Sequence, residues 1–182
     1  MLKPNLKELG KFYERLGEQG FERGKPWFYI SGALTGVPNI DDMKKFYEEL
    51  SDVIMDHGGF AYVPHRVTDP VENPDVSPME VYEVDMKSVI NCRRKGAMVT
   101  VLEHPSLGVG AEIQKSFSSG VKMIYIAPAG RGISRLILGG GEALRGLSED
   151  IFVIEYKNHK DALKKFSKHL DEYFSIEKGY RR

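Results

Sequence analysis

"AMVTVLEHPSLGVGAEI", residues 97 to 113, decides the fold. Ala97 to Leu102 are apolar or β-branched without a break and read as a buried strand. Pro105 stops the run, Ser106, Gly108 and Gly110 form a glycine-rich turn, and a helix carrying Glu112 is expected to begin near Ala111. Strand, turn and helix in that order form the unit of a parallel sheet covered on both faces. The same unit recurs on either side. "WFYIS" (27 to 31) and "FAYVPH" (60 to 65) precede it as strands, and "VKMIYIAP" (121 to 128) and "DIFVIEY" (150 to 156) follow.

Helical sequence fills the intervals. Asp41 and Asp42 open a helix bearing Met43, Phe46, Tyr47, Leu50 and Ile54, which Gly58 and Gly59 close. Residues 66 to 78 are polar and proline-rich and read as a surface loop able to fold over a ligand. Ser77, Pro78 and Glu80 make a capping box for a helix with Tyr82, Met86, Val89 and Ile90 on its apolar stripe, ending at Cys92 to Gly96. A last helix, 159 to 174, is expected to bury Ala162, Leu163, Phe166, Leu170 and Phe174. The expectation is an α/β, doubly wound, five-stranded parallel sheet in the order 2-1-3-4-5 with helices on both faces. Residues 1 to 25 are read as a helical extension, with Leu2, Leu6, Leu9, Phe12, Tyr13 and Leu16 on one face. Residues 26 to 176 form the α/β domain, and 177 to 182 a basic tail.

Composition narrows the function. Lys plus Arg and Asp plus Glu balance at 26 each, so no net field exists to hold a nucleic-acid polymer or an anionic membrane. The single cysteine, Cys92, excludes an intrachain disulfide, and no run of about 18 apolar residues occurs, which makes a cytoplasmic protein the expectation. The five histidines, at 57, 65, 104, 159 and 169, show no metal-binding spacing, so neither metal nor organic cofactor is expected.

In a sheet of order 2-1-3-4-5 the ligand crevice lies between the carboxyl ends of strands 1 and 3, here "SGALTG" (31 to 36) and "EHPSLGVG" (103 to 110). Two glycine turns allow close backbone approach to an anion, with Ser106 as an added donor. The stretch is not a dinucleotide fingerprint, because Ile113 occupies the place of the third glycine. Glu112 falls in the expected first helical turn, where the dipole stabilises a carboxylate by about 0.3–1 kcal/mol, so position alone favours a simple charge–dipole match. Asp85 sits at the edge of the stripe of Tyr82, Met86 and Val89 and points to the sheet; a boundary aspartate with an ordinary hydrogen-bond partner is the competing account. Together the two carboxylates suit glycosidic chemistry: one stabilises or traps an oxocarbenium-like anomeric carbon, and the other manages protons.

These residues resemble the nucleoside 2-deoxyribosyltransferase-like superfamily and, within it, the 2'-deoxynucleoside 5'-phosphate N-hydrolases. The resemblance spans most of residues 27 to 175 and is carried by "YISGALTG", "VPH", "YEVD", "PSLGVGAE" and "GRGISRLILGG" in that order. At a helix N-terminus Glu112 is expected to stay ionised, as a nucleophile must. The resemblance implies that Glu112 attacks C1' to form a glycosyl-enzyme that water hydrolyses, and that Asp85 assists at the base or orients the reacting groups. It further implies that Tyr29, Gly32, Leu34, Gly36 and His65 line the sugar and base. Ser106, Gly108 and Gly110 would meet the 5'-phosphate, and Ser134 would reach it from the neighbouring subunit of a homodimer. A lone histidine after a strand is ordinarily structural, so the resemblance alone assigns His65 a ligand.

The implied reaction is hydrolysis of the N-glycosidic bond of a nucleoside 5'-monophosphate. A base-exchanging deoxyribosyltransferase and a nucleotide-binding sensor without turnover are the alternatives. Three departures stand out. Thr35 occupies a turn position where such hydrolases often carry arginine, which leaves Arg131 or Arg135 to supply charge. "NCRRKGA" lengthens the link to strand 3, and residues 1 to 25 match nothing in the family pattern.

Overall fold

The computed structural model describes residues 22–93, 95–145 and 151–179. The expected helix over 2 to 16 lies outside them. Among the described residues the chain runs β1 (Trp27–Ser31), α1 (Ile40–Asp56), β2 (Phe60–Tyr62), α2 (His65–Thr68), α3 (Pro78–Asn91), β3 (Ala97–Val101), α4 (Leu107–Ser119), β4 (Lys122–Pro128), α5 (Arg135–Arg145), β5 (Ile151–Tyr156) and α6 (His159–Gly179). The five strands are all parallel in the order β2-β1-β3-β4-β5, the doubly wound arrangement read from the sequence.

Strand periodicity divides the core in two. Phe28 and Ile30 of β1 face α1 and α6, where they meet Phe46, Leu50, Ile54, Phe166 and Leu170. Trp27 and Tyr29 face the opposite way, towards Val89 of α3 and Val109, Ile113 and Phe117 of α4. β1 and β3 therefore bury both faces, which is why they read as continuous apolar runs, whereas the edge strand β5 leaves Phe152 and Val153 exposed.

Three local expectations change. "FAYVPH" is a strand only to Tyr62, because Pro64 begins a single helical turn: Val67 and Thr68 donate their N–H groups to the Pro64 carbonyl, and the Thr68 hydroxyl does so as well at 3.0 Å. Val67, Thr68 and Asp69 are buried, so the proline-rich stretch is rooted in the protein before it reaches the surface. The capping box of α3 forms as expected, with the Glu80 N–H on Ser77 Oγ and the Ser77 N–H on Glu80 Oε2. Its inward face is not the stripe of large residues, however. Tyr82 is 63% exposed, while Asp85, Ser88 and Val89 are buried, so small and polar side chains face the sheet. Finally, α6 continues to Gly179, past the expected end at residue 174.

Gly96 joins the link after α3 to β3, and a Cβ built there would stand 1.6 Å from the Trp27 carbonyl oxygen. The obstacle is strand backbone and cannot rotate away. Gly96→Ala is therefore expected to destabilise the fold by about 3 kcal/mol, read as a lower urea midpoint.

Candidate active site

The two carboxylates are placed by neighbouring strands. Tyr29 of β1 and Tyr62 of β2 are register partners with rings stacked 5.6 Å apart, and both are fully buried. The Tyr29 hydroxyl donates to Glu112 Oε1 at 2.7 Å, and the Tyr62 hydroxyl donates to Asp85 Oδ1 at 3.1 Å. Ser31, two residues after Tyr29 on the same strand face, donates to Glu112 Oε2 at 2.5 Å. Both oxygens of Glu112 are thus fixed from below by one strand. Burial drives the Tyr29 pKa far up, reinforced by the charges of Glu112 and Asp85, so its phenol stays a donor.

Glu112 does not sit where the sequence reading put it. Ser106 is the N-cap of α4, with its hydroxyl accepting from the Val109 N–H at 3.4 Å, so the helix starts at Leu107 and takes Gly108 and Gly110 inside it. Neither glycine has positive φ, whereas Gly36 does at 71°. Glu112 lies in the second turn, and no acidic residue occupies the first. The charge–dipole account therefore fails on position, since that effect fades beyond the first turn.

The ionisation argument changes with it. Burial raises the Glu112 pKa above the ordinary carboxylate value, and the hydrogen bonds from Ser31 and Tyr29 work against that rise. What favours its charged form is the pair of hydroxyl donors. Asp85 is pushed up to about 7, chiefly by burial and next by the charge of Glu112, against the hydrogen bond from Tyr62. The pair thus sets one carboxyl group whose pKa is raised beside one with two dedicated donors.

Both groups line one cavity of 460 Å³ at the carboxyl ends of β1 and β3. Gly32, Leu34 and Thr35 of the first glycine turn form one wall, and Ser106, Gly108 and Val109 another. Val81 belongs to α3, and Pro70, Asn73, Pro74 and Val76 come from the stretch between α2 and α3. Gly32 is needed for Tyr47 to pack, because a Cβ there would fall 2.3 Å from its ring.

The remaining expected residues separate from this group. Tyr29 is beneath Glu112 and does not line the cavity, so it holds the carboxylate. Gly36 shapes the turn and Gly110 is interior to α4; neither is on the lining. His65 turns its Nε2 to Glu48 Oε1 at 2.7 Å and is not on the lining, and burial lowers its pKa against the pull of that carboxylate. Ser134 is exposed ahead of α5, where its carbonyl accepts from Ile137 and Leu138. Arg131 is tied to the Glu103 carbonyl, and among the described residues lining the cavity none is lysine or arginine. Also among the described residues, no cluster of three or more potential ligands could hold a metal, and no helix is long and apolar enough to cross a membrane.

Sequence reasoning missed Ser31 and Tyr62 as site residues. Period-two alternation was the available signal, because it places Tyr29 and Ser31 on one strand face at the crevice end. Tyr29→Phe and Ser31→Ala each remove one donor from Glu112, so the Glu112 pKa rises. The acid limb of any Glu112-dependent activity is expected to move to higher pH, with turnover near neutrality about tenfold lower, in a pH–rate profile of each variant.

No family model matches the chain, and no curated protein matches it in sequence. Solved structures do resemble it. A CMP N-glycosidase from Clostridium botulinum superposes with a TM-score of 0.57 at 20% identity, over 78% of this chain and 98% of that one. A 2-deoxyribosyltransferase from Bacillus psychrosaccharolyticus gives 0.51 at 12% identity, over 75% and 89%. A conserved protein from Enterococcus faecalis gives 0.50 at 13% identity, over 80% and 99%. At these identities the likeness is one of fold, and that fold is the one implied by the chain's resemblance to the nucleoside 2-deoxyribosyltransferase-like superfamily.

Proposed function

We propose that this chain hydrolyses the N-glycosidic bond of a nucleoside 5'-monophosphate, releasing the base and a pentose 5-phosphate. The observation that carries the reading is the pair of register-matched tyrosines, each donating to one of two carboxyl groups that share a cavity. A fold shared with a CMP N-glycosidase and a 2-deoxyribosyltransferase supports it.

In this mechanism a Glu112 oxygen attacks C1', and the C1'–N bond breaks with its electron pair passing to the base nitrogen. Asp85 supplies the proton that the departing base takes up. Esterification removes the charge of Glu112, which is one of the causes of the high Asp85 pKa, so Asp85 becomes more acidic once it has given its proton. The resulting carboxylate then takes a proton from water as the water attacks C1' and Glu112 leaves. A single pair of side chains serves both half-reactions because the charge of Glu112 helps set that of Asp85.

The phosphate would meet Ser106 and the open backbone at Gly108, where a Cβ would touch only Ser106 Oγ at 3.6 Å. Ser134 of a second subunit would complete that end in a homodimer. The lack of a cationic side chain among the described lining residues favours a second reading, a 2-deoxyribosyltransferase acting on an uncharged nucleoside. Quantifying base released from ribo- and deoxyribonucleosides and their 5'-monophosphates, with and without added free base, separates the two. Release from monophosphates without added base supports the hydrolase. Exchange confined to nucleosides and dependent on added base supports the transferase, and binding without either sinks both.

A further inference from the structure

We propose that Asn73 reads the hydrogen-bonding edge of the nucleobase, in a slot whose apolar walls are the prolines around it. This rests on the nucleotide reading above and names the contact that selects the base. The strap between α2 and α3 is a built structure. The Asp69 carboxylate, 3% exposed as a residue, accepts from the Val71 N–H at 2.8 Å, the Glu72 N–H at 3.0 Å and Lys44 Nζ at 2.8 Å. Asn73 donates its N–H to the Asp69 carbonyl at 2.8 Å, and its own carbonyl accepts from Val76 at 3.1 Å. Its main chain is therefore committed on both sides, and among the described residues its side chain has no partner.

The other polar side chains on the cavity wall have contacts or roles of their own. Glu112 and Asp85 are held by the tyrosines, the Thr68 hydroxyl donates to the Pro64 carbonyl, and Ser106 Oγ caps α4. Thr35 is exposed and carries only a hydroxyl. Among the described lining residues Asn73 is the one carboxamide, and it presents a donor and an acceptor side by side at any pH, the pattern that matches the donor–acceptor pair on a base edge. Pro70, Pro74 and Pro78 border the same cavity and have no N–H to compete for that edge.

Binding to Glu112→Gln, which holds nucleotide without turning it over, tests the assignment by calorimetry with CMP, UMP, AMP, GMP and ribose 5-phosphate. Adding Asn73→Ala is expected to weaken the best-bound nucleotide about tenfold or more and to leave ribose 5-phosphate unchanged. Adding Asn73→Asp, which keeps the shape but only accepts, is expected to shift preference away from UMP and towards the amino-bearing bases of CMP, AMP and GMP. Nucleotides that bind and are cleaved by the parent enzyme, with a base ranking indifferent to both substitutions, would overturn the role of Asn73 alone. Equal weakening of ribose 5-phosphate would do the same, and if no nucleotide binds at all, the nucleotide reading falls with it.

Discussion

Glu112→Gln is expected to lower kcat by at least about 10³-fold with the fold intact, because an amide keeps the size of the side chain and loses the attacking oxygen's charge. The substitution also has a consequence away from turnover. Glu112's charge is the second cause of the raised Asp85 pKa, after burial, so the Asp85 titration should move below its value of about 7 in this variant. Carboxyl carbon shifts followed by NMR against pH would show that movement. Unchanged turnover in Glu112→Gln would remove the nucleophile from the account. Full loss of turnover with an unmoved Asp85 would remove the coupling that lets one carboxyl group act as acid and then as base.

Asp85→Asn separates catalysis from stability in the opposite sense. Loss of the proton donor is expected to lower kcat by about 10²–10⁴-fold and to remove the alkaline limb, which in the parent enzyme falls as pH rises through about 7. A substrate whose leaving group needs no proton should recover most of the loss. For stability, the unfolded aspartate titrates near the ordinary 3.8 and the folded one at about 7. Between those values the folded state holds a proton that the unfolded state has released, so stability falls as pH rises across the window. Asparagine cannot ionise, and the variant should be more stable than the parent above pH 7 by an amount on the order of 2–4 kcal/mol. Urea unfolding at pH 5 and pH 8 measures it; an equal effect at both pH values would contradict the raised pKa.

The sheet and its order were legible because the central strands β1 and β3, buried on both faces, write themselves as uninterrupted apolar runs, and the glycine turns at 31 to 36 and 103 to 110 marked the crevice. Asp85 was legible as an inward carboxylate although the stripe used to orient it was wrong. Tyr82 faces outward because the interior of α3 has to leave room for the cavity and the tyrosine beneath it. Glu112 was legible from the crevice turn that precedes it, but its surroundings were not: the helix starts at Leu107, four residues ahead of the expected start near Ala111, so the carboxylate is held by β1 hydroxyls rather than by a first-turn dipole. His65 could not be placed from sequence, since its partner Glu48 belongs to a different helix and only the packing of α1 against α2 brings them together. The Tyr62–Asp85 contact is hidden for the same reason, because strand register is a property of the folded sheet.

The central claim is that Glu112 forms a covalent glycosyl ester, and the stereochemistry of methanolysis tests it most directly. With methanol competing against water, two successive displacements at C1' of a β-nucleotide should give the methyl glycoside with the β configuration retained, read by NMR of the anomeric proton. An inverted α-methyl glycoside, or a mixture of the two anomers, would contradict it.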